Sequence, residues 1–377
     1  MNANETRTWA EIDLGALKHN VREIRAALPE SCGLVGIVKA DAYGHGAVPV
    51  ARALREAGAS YLAVACPEEA FQLRAAGELL PVLILGAADP AWAPRLSVEN
   101  ITQAVGSLEQ GRALSAALLP GQRLKIHLKL DTGMGRLGFP AREETAFREA
   151  AAVMALPGLE TEGVFTHFAV SDTPGGEDYT RGQYAAFTAA VAAIETLSGR
   201  KIPLRHCMNS GAVLGFRELG AETQLCRPGL LIYGVYPERE HFGLELQPVM
   251  TLKTRILALT NHKAGDSISY GRTWQAERDS RLAVIPVGYA DGLHRALSGK
   301  LQVGLRGRRV PQVGRICMDM CMLDVTDMPQ TQCGDVVTVF GQGQDGGPTV
   351  EELADLAGTI PYELMCAVSL RVPRIYK

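Results

Sequence analysis

Short apolar runs and amphipathic segments alternate along the first two thirds of the chain. Each run of four to eight residues predicts a buried strand, and the following segment, with apolar residues three and four positions apart, predicts a helix. Asp13 is a suitable N-cap for the first such helix. Roughly eight strand–helix units can be counted, the number that a closed parallel barrel requires. Their apolar runs lie at 34–38, 61–65, 82–85, 101–105, 124–130, 163–168, 204–208 and 230–235.

The pattern changes near residue 242, where short strands follow one another without long helices between them. Gly and Asp punctuate the gaps, which is typical of an antiparallel β domain. The predicted strands lie at 249–259, 282–287, 301–305, 322–325 and 336–340, and one capped helix is predicted at 350–357. The sequence therefore predicts an α/β protein: a (β/α)8 TIM-like barrel over residues 1–240, followed by a mainly antiparallel β C-terminal domain over 241–377. The alternative is one elaborated barrel whose last quarter consists of insertions.

Composition narrows the classes of partner. The 377 residues carry a formal net charge of −3, and the sequence has no basic run, so we expect no nucleic acid. No apolar stretch approaches the roughly 20 residues that span a bilayer, and the polar start lacks a signal peptide, so we expect a cytoplasmic protein without a membrane partner. The 8 cysteines show no zinc-ligand spacing, which favours reduced thiols and no metal.

Lys39 stands where the first barrel strand ends and a glycine-punctuated polar loop begins. The carboxyl ends of barrel strands are where barrel enzymes place their chemistry. The surrounding sequence Val-Lys-Ala-Asp-Ala-Tyr-Gly-His-Gly, residues 38–46, resembles the lysine motif of the alanine racemases, which use pyridoxal 5'-phosphate. The resemblance implies that Lys39 carries this cofactor and also acts as one catalytic base.

Two further blocks end later barrel strands and supply candidate phosphate ligands. They are Asn-Ser-Gly from residue 209 and Arg-Pro-Gly-Leu-Leu-Ile-Tyr-Gly from residue 227. Backbone N–H groups in the loops after the last strands of a barrel often bind phosphate. Both blocks are similar to alanine racemase motifs, and the similarity implies a cofactor-binding set of Tyr43, Asn209, Ser210, Gly229, Leu230 and Tyr362.

The residue that faces the pyridine nitrogen decides which reaction the cofactor supports. In the racemase family this position belongs to the arginine that Arg227 matches, and arginine can donate a hydrogen bond but cannot accept a proton. Racemisation also needs two bases on opposite faces of a planar intermediate. The resemblance implies that Tyr270, in Ile-Ser-Tyr-Gly-Arg, is the second base, linked through His167 to Arg227.

Recognition of the substrate carboxylate is assigned to two further blocks. Arg136 can bind a carboxylate through two hydrogen bonds, and Lys129 lies where some family members carry a carbamylated lysine. The loop Cys317, Met318 and Asp319 resembles the family's Cys-Met-Asp loop, whose Met318 backbone N–H meets the carboxylate. In the family, the tyrosine that Tyr289 matches narrows the entrance. The resemblance implies that these β-domain residues complete the site of the other subunit in a head-to-tail homodimer.

The sequence therefore predicts an isomerase that interconverts L- and D-alanine and supplies D-alanine for peptidoglycan. A related decarboxylase of a basic amino acid is a second hypothesis, disfavoured by Arg227 and by a tyrosine placed as second base. A non-catalytic pyridoxal-phosphate carrier is a third, disfavoured by the β domain. Turnover of L-alanine in deuterated water separates the three, since only racemisation places deuterium at Cα with loss of optical rotation.

Overall fold

The computed structural model describes residues 6–237, 242–341 and 346–377. Eight parallel strands form a nearly closed barrel, in which the last strand pairs with the first. At the remaining seam, the backbone N–H groups of Gln224 and Arg227 donate to the carbonyls of Arg205 and Met208 at 2.9 and 2.7 Å. The barrel strands are Gly33–Ile37, Tyr61–Val64, Val82–Ile84, Ile101–Val105, Leu124–Asp131, Leu159–Phe165, Leu204–His206 and Leu225–Cys226, and the short strand Phe139–Pro140 pairs with the fifth of them.

Helices connect the barrel strands and cover the outside of the barrel. The predicted cap is present, because Asp13 accepts a hydrogen bond from the Ala16 N–H at 2.8 Å. No helix in the described part of the chain is both long enough and apolar enough to cross a membrane. The helices are Leu14–Ala26, Lys39–Tyr43, Ala47–Glu56, Pro67–Ala75, Ala93–Val98, Leu108–Ala117, Glu144–Met154, Glu177–Ser198, Ser210–Gly215 and Gly229–Ile232, with 3-10 turns at Pro90–Trp92 and Arg217–Ala221.

The predicted eighth strand at 230–235 is wrong. Residues Gly229–Ile232 form a short helix, and the eighth strand is the two-residue segment Leu225–Cys226 that precedes it. Leu230, Leu231 and Ile232 are all fully buried. An apolar run that is buried on every side has no polar positions to reveal its period, so helix and strand look alike in the sequence.

The second sheet has nine strands and is mainly antiparallel, as predicted. Its first strand comes from the start of the chain, pairing antiparallel with Met250–Arg255 and parallel with Arg374–Tyr376. The strands are Thr8–Ile12, Met250–Arg255, Ala258–His262, Ser280–Ile285, Gln302–Leu305, Arg308–Val313, Cys321–Asp324, Val336–Phe340 and Arg374–Tyr376; a separate hairpin pairs Ser267–Ile268 with Trp274–Gln275, helices lie at Val350–Ala357 and Pro361–Ala367, and 3-10 turns lie at Tyr270–Arg272, Tyr289–Asp291 and Arg295–Leu297.

The two sheets share one buried apolar cluster. The predicted boundary near residue 240 falls in 238–241, outside the described residues. The strand Thr8–Ile12 lies in the second sheet, although the sequence analysis assigned residues 1–240 to the barrel. The first described strand therefore belongs to the second sheet, the residues after it form the barrel, and the rest of the chain returns to the second sheet. The barrel is thus connected to the second sheet at both of its ends in the sequence.

Replacing the first N-cap tests this description of the barrel's opening helix. Asp13→Ala removes the acceptor for the Ala16 N–H and should lower the free energy of unfolding by about 1 kcal/mol, seen as a lower midpoint in thermal unfolding. Asp13→Asn keeps an acceptor oxygen and should behave as the wild type. Equal losses in both variants would contradict the cap assignment.

Candidate active site

A cavity of about 520 Å³ opens at the carboxyl ends of the barrel strands. Its volume lies within the range of small-molecule sites, roughly 300–1,000 Å³. Among the described residues, no group of three or more His, Cys, Asp or Glu side chains has the arrangement of a metal site. The predicted site residues that line the cavity are Lys39, Tyr43, Lys129, Arg136, His167, Asn209, Ser210, Arg227, Gly229 and Tyr362.

Lys39 follows the strand Gly33–Ile37 and begins an unusual turn. The four residues after it all have left-handed backbone angles, with φ between 52° and 55°, and each such residue costs roughly 1–2 kcal/mol. Hydrogen bonds hold the turn. The Asp41 carboxylate accepts from the Ala47 N–H at 2.7 Å, and the Ala40 N–H donates to Glu69 at 2.6 Å. The lysine is therefore held at the cavity by a strained and well-braced segment.

Burial and neighbouring cations act on both lysines of the cavity. Burial and the nearby Arg136 lower the pKa of Lys39. The same two causes, followed by Arg227, lower the pKa of Lys129 to about 8. A lowered pKa leaves more of the neutral amine near physiological pH, and the neutral amine is the form that acts as nucleophile or base.

Hydroxyl groups and a close backbone approach meet on one side of the cavity. Ser210 Oγ accepts a hydrogen bond from the Leu230 N–H at 3.0 Å. A Cβ atom on Gly229 would lie 2.8 Å from the Tyr43 hydroxyl, so the phenol needs a glycine there. The Tyr43 ring meets Tyr362 edge-on, with centroids 5.3 Å apart. Three hydroxyls and the backbone at Gly229 thus form a set that suits a phosphate.

The side chain of Asn209 stabilises the turn next to these hydroxyl groups. Its side-chain oxygen accepts from the Ala212 N–H at 3.1 Å and caps the helix Ser210–Gly215. It also accepts from the Ser171 hydroxyl at 2.7 Å. Asn209 therefore orients the turn that carries Ser210.

Arg227 is buried at the mouth of the barrel and donates only to neutral acceptors. Its guanidinium contacts His206 Nδ1 at 2.7 Å, the Thr166 carbonyl at 2.7 Å and His167 Nδ1 at 3.4 Å. Because arginine has no acceptor atom, the Nδ1 atoms must be lone-pair acceptors, and both imidazoles are protonated at Nε2 alone. Burial and the surrounding cations, Arg227 first among them, lower the pKa of His167 to about 3, so this ring stays neutral and keeps an Nε2–H donor.

Five predicted site residues lie outside the cavity and on the surface of the second sheet's loops. Tyr270 is 71% exposed, Met318 53% and Tyr289 44%. The Tyr289 N–H donates to the Cys317 carbonyl at 3.1 Å, and Asp319 pairs with Arg371 at 2.9 Å. We call the surface formed by Tyr270, Tyr289, Cys317, Met318 and Asp319 the tyrosine face.

Several residues at the site were not anticipated from the sequence. Glu69 holds the backbone after Lys39, and Asp172 lines the cavity. His206 is the nearest side-chain partner of Arg227. Its position at the end of a short strand was the available signal, the same signal that identified His167.

The fold and the cavity define a barrel enzyme whose site lies at the carboxyl ends of the strands and is fitted for anions. The family model described as the alanine racemase N-terminal domain matches residues 12–237, and that of the alanine racemase C-terminal domain matches residues 249–376. The chain belongs to the alanine racemase family. Members of this family are isomerases, and membership implies interconversion of L- and D-alanine.

Relatives match over nearly the whole chain. An alanine racemase of Desulfovibrio desulfuricans is 46% identical over 372 residues, covering 98% of this chain and 97% of the relative. One from Desulforamulus reducens is 44% identical over 371 residues, with 98% of both chains covered. Among solved structures, the Clostridium difficile 630 alanine racemase has a TM-score of 0.93 at 36% identity, covering 99% of this chain and 96% of its own. The Bacillus anthracis alanine racemase with bound L-Ala-P has a TM-score of 0.91 at 34% identity, covering 98% and 95%.

The close approach at Gly229 makes a prediction about anion binding. In Gly229→Ala the added methyl displaces the Tyr43 hydroxyl, so the affinity for inorganic phosphate should fall by about tenfold, the loss of roughly one hydrogen bond to a charged group. Isothermal titration measures the change. Gly215→Ala is the control, because its Cβ meets no atom within 4 Å; similar affinities in the two variants would contradict the assignment.

Proposed function

We propose that this enzyme is a pyridoxal-phosphate-dependent alanine racemase that uses two bases, Lys39 and the Tyr270 of a second subunit. One observation carries the proposal. Lys39, an amine of lowered pKa, lines the same cavity as the hydroxyls of Tyr43 and Ser210, whereas Tyr270, the tyrosine predicted as second base, is exposed outside this cavity. A single chain thus holds one of the two bases at its cavity.

The residues of the cavity fit the cofactor. Tyr43, Ser210 and Tyr362, with the N–H groups of Gly229 and Leu230, would hold its phosphate; Arg227 would donate to its pyridine nitrogen, and Lys39 would carry it. When bound, the cofactor supplies an aldehyde for the substrate's amino group and a ring that withdraws electrons from Cα. Because Arg227 can only donate, it would leave the ring nitrogen unprotonated. Weaker electron withdrawal would then favour simple proton exchange at Cα over transamination.

Two groups then exchange protons with Cα from opposite faces. On one face Lys39 would take a proton as the neutral amine and return it as the ammonium, and on the other face Tyr270 would take a proton as the phenolate and return it as the phenol. His167 supports the tyrosine, because its Nε2–H is free to donate to a phenolate oxygen when Nδ1 accepts from Arg227 at 3.4 Å. A neutral donor stabilises the anion without surrendering its own proton.

The substrate carboxylate would bind Arg136 and the Met318 N–H, the latter from the second subunit. Such an arrangement requires a head-to-tail homodimer in which the tyrosine face of each chain closes the other's cavity. Tyr289 would then narrow the entrance and restrict the side chain to the size of alanine. Residues 13–237 would serve as the cofactor barrel, and the β domain after residue 241 would complete the partner's site.

We further propose that the enzyme works in the cytoplasm and supplies D-alanine for peptidoglycan. All 8 cysteines are free thiols, which supports a reducing compartment. A soluble pool of alanine and cofactor is available in that compartment.

Mixing two inactive variants tests the shared site. Lys39→Ala and Tyr270→Phe should each lose racemisation by several orders of magnitude, since each removes one base. Co-folded in equal amounts, they should regain about a quarter of wild-type activity, because half of the dimers are mixed and each mixed dimer has one intact site. Circular dichroism of alanine solutions measures turnover in both directions.

The control mixture is Lys39→Ala with a second inactive variant of the same cavity, Arg227→Ala. Both defects then affect the barrel side, and each mixed dimer lacks an intact site, so activity should stay absent. No recovery in the first mixture would contradict a site shared between subunits. Full activity of Tyr270→Phe alone would contradict the second base.

The lowered pKa of Lys129 supports carbamylation, the reaction of its neutral Nζ with CO2 and release of one proton. The resulting anion would neutralise and orient Arg136. We expect a carbamate signal in 13C NMR after incubation with labelled bicarbonate, and its loss in Lys129→Gln. Lys125→Gln on the same strand is the control and should keep the signal; a signal that persists in Lys129→Gln would contradict the assignment.

A further inference from the structure

A chain of polar side chains runs down the inside of the barrel from Arg227, away from the cavity. Arg227 Nη1 contacts His206 Nδ1 at 2.7 Å, and His206 Nε2 contacts His127 Nδ1 at 2.8 Å. His127 Nε2 has Glu162 Oε1 as its nearest charged group, at 3.4 Å. Both histidines are fully buried. This last contact is electrostatic and not a hydrogen bond, because His127 Nε2 has no hydrogen-bond partner in this structure.

The donor at each contact follows from the first. Arg227 can only donate, so His206 Nδ1 accepts and its proton is on Nε2. His206 Nε2–H then donates to His127 Nδ1, which places the proton of His127 on Nε2 as well. This N–H lies 3.4 Å from the Glu162 carboxylate, the charged group at the end of the chain. Burial lowers the pKa of His127 and of His206, which agrees with two neutral rings.

Glu162 lies at the amino-terminal end of the barrel and is held as an anion. It accepts from the hydroxyls of Tyr61 and Thr102, the latter at 2.9 Å, and Lys125 Nζ lies 3.6 Å away. Burial raises the pKa of Glu162, but the nearby His127 ring and the hydrogen bond from Tyr61 outweigh it and lower the pKa to about 2. The carboxylate therefore stays charged wherever the enzyme works.

Gly163 makes room for the chain. A Cβ atom there would lie 2.6 Å from three atoms of the His127 ring, so the imidazole packs directly on this backbone. The pairing of the two strands shifts register between Ile126 and His127. Both features place the ring between His206 and Glu162.

We propose that Glu162 is a positioning residue for Arg227. Through two neutral imidazoles of fixed tautomer, its charge polarises and aligns the hydrogen bonds that orient the guanidinium at the cavity. The effect on turnover rests on the proposed function. The order of protons along the chain does not, since it follows from the side chains alone.

Histidine NMR tests the proton order without reference to activity. In protein with 15N-labelled histidine, the signals of His127 and His206 can be assigned by replacing each ring with phenylalanine. We expect both rings to be neutral and protonated at Nε2 from pH 5 to pH 9, with and without bound pyridoxal phosphate. A proton on Nδ1 of either ring, or a charged ring in this range, would overturn the proposal.

Two variants should shift the His127 N–H signal in opposite directions. Glu162→Gln keeps an acceptor oxygen but removes the charge, so the proton should move upfield. Tyr61→Phe removes a donor that competes for the carboxylate, so the proton should move downfield. General damage to the barrel predicts the same direction in both. Shifts of the same sign, or none, would refute the role of the Glu162 charge.

Activity supplies the second readout. Glu162→Gln should lower kcat by about tenfold with little change in KM for alanine, because Arg227 is misaligned rather than substrate binding lost. Glu160→Gln, an exposed change on the same strand, is the control and should behave as the wild type. If kcat were unchanged in Glu162→Gln while the NMR shifts were as expected, the positioning role would be refuted and the proton order would still hold.

Gly163→Ala disturbs the same chain by geometry alone. The backbone angles of Gly163 are allowed for any residue type, so the added methyl group of alanine acts mainly by displacing the His127 ring. We expect loss of the His206–His127 hydrogen-bonded proton signal and a kcat at least as low as that of Glu162→Gln. A wild-type kcat in a folded Gly163→Ala enzyme that lacks this signal would contradict the proposal.

Discussion

The buried guanidinium of Arg227 is the constraint on which the site depends. A buried cation is costly unless its donors are all engaged, and here they meet only lone pairs of two imidazoles and backbone carbonyls. Lys39, Lys129 and Arg136 line the same cavity, and burial followed by the repulsion from neighbouring cations lowers the pKa of both lysines. Anionic ligands relieve this repulsion.

The backbone after Lys39 is strained, and residues of the second sheet contact this strained segment. The Gly44 carbonyl, just after the left-handed residues, accepts from Arg374 Nε at 2.9 Å. A Cβ on Gly46 would lie 1.9 Å from the Tyr376 hydroxyl. Both partners belong to the last strand, which pairs with the first strand of the chain. The loop after Lys39 is therefore held both by barrel residues and by the last strand of the second sheet.

The sequence predicted those features that depend on local pattern. Strand ends with Gly and polar residues marked the cavity, and the amphipathic helix with its Asp13 cap formed as predicted. The eighth strand was misplaced because Leu230 to Ile232 are buried on every side. His127 and Glu162 were not predicted because their roles depend on contacts across the barrel, between His206 and His127 and between His127 and Glu162. The sequence around the N-terminal strand did not indicate which sheet the strand joins. Its antiparallel partners lie about 240 residues further along the chain, and pairing at such a distance does not affect the local sequence pattern.

The loops of the tyrosine face are closely packed and hydrogen-bonded to each other. Ser269, beside Tyr270, has a φ of 66°, a conformation that costs a serine free energy, and its hydroxyl donates to the Arg315 carbonyl at 2.8 Å. A Cβ on Gly314 would lie 2.8 Å from the Ser269 side chain, so the two loops pack too closely to admit a larger residue at this position. An ordinary surface tyrosine needs no such support. Loops held in one conformation would lose less conformational entropy if this surface associated with another one.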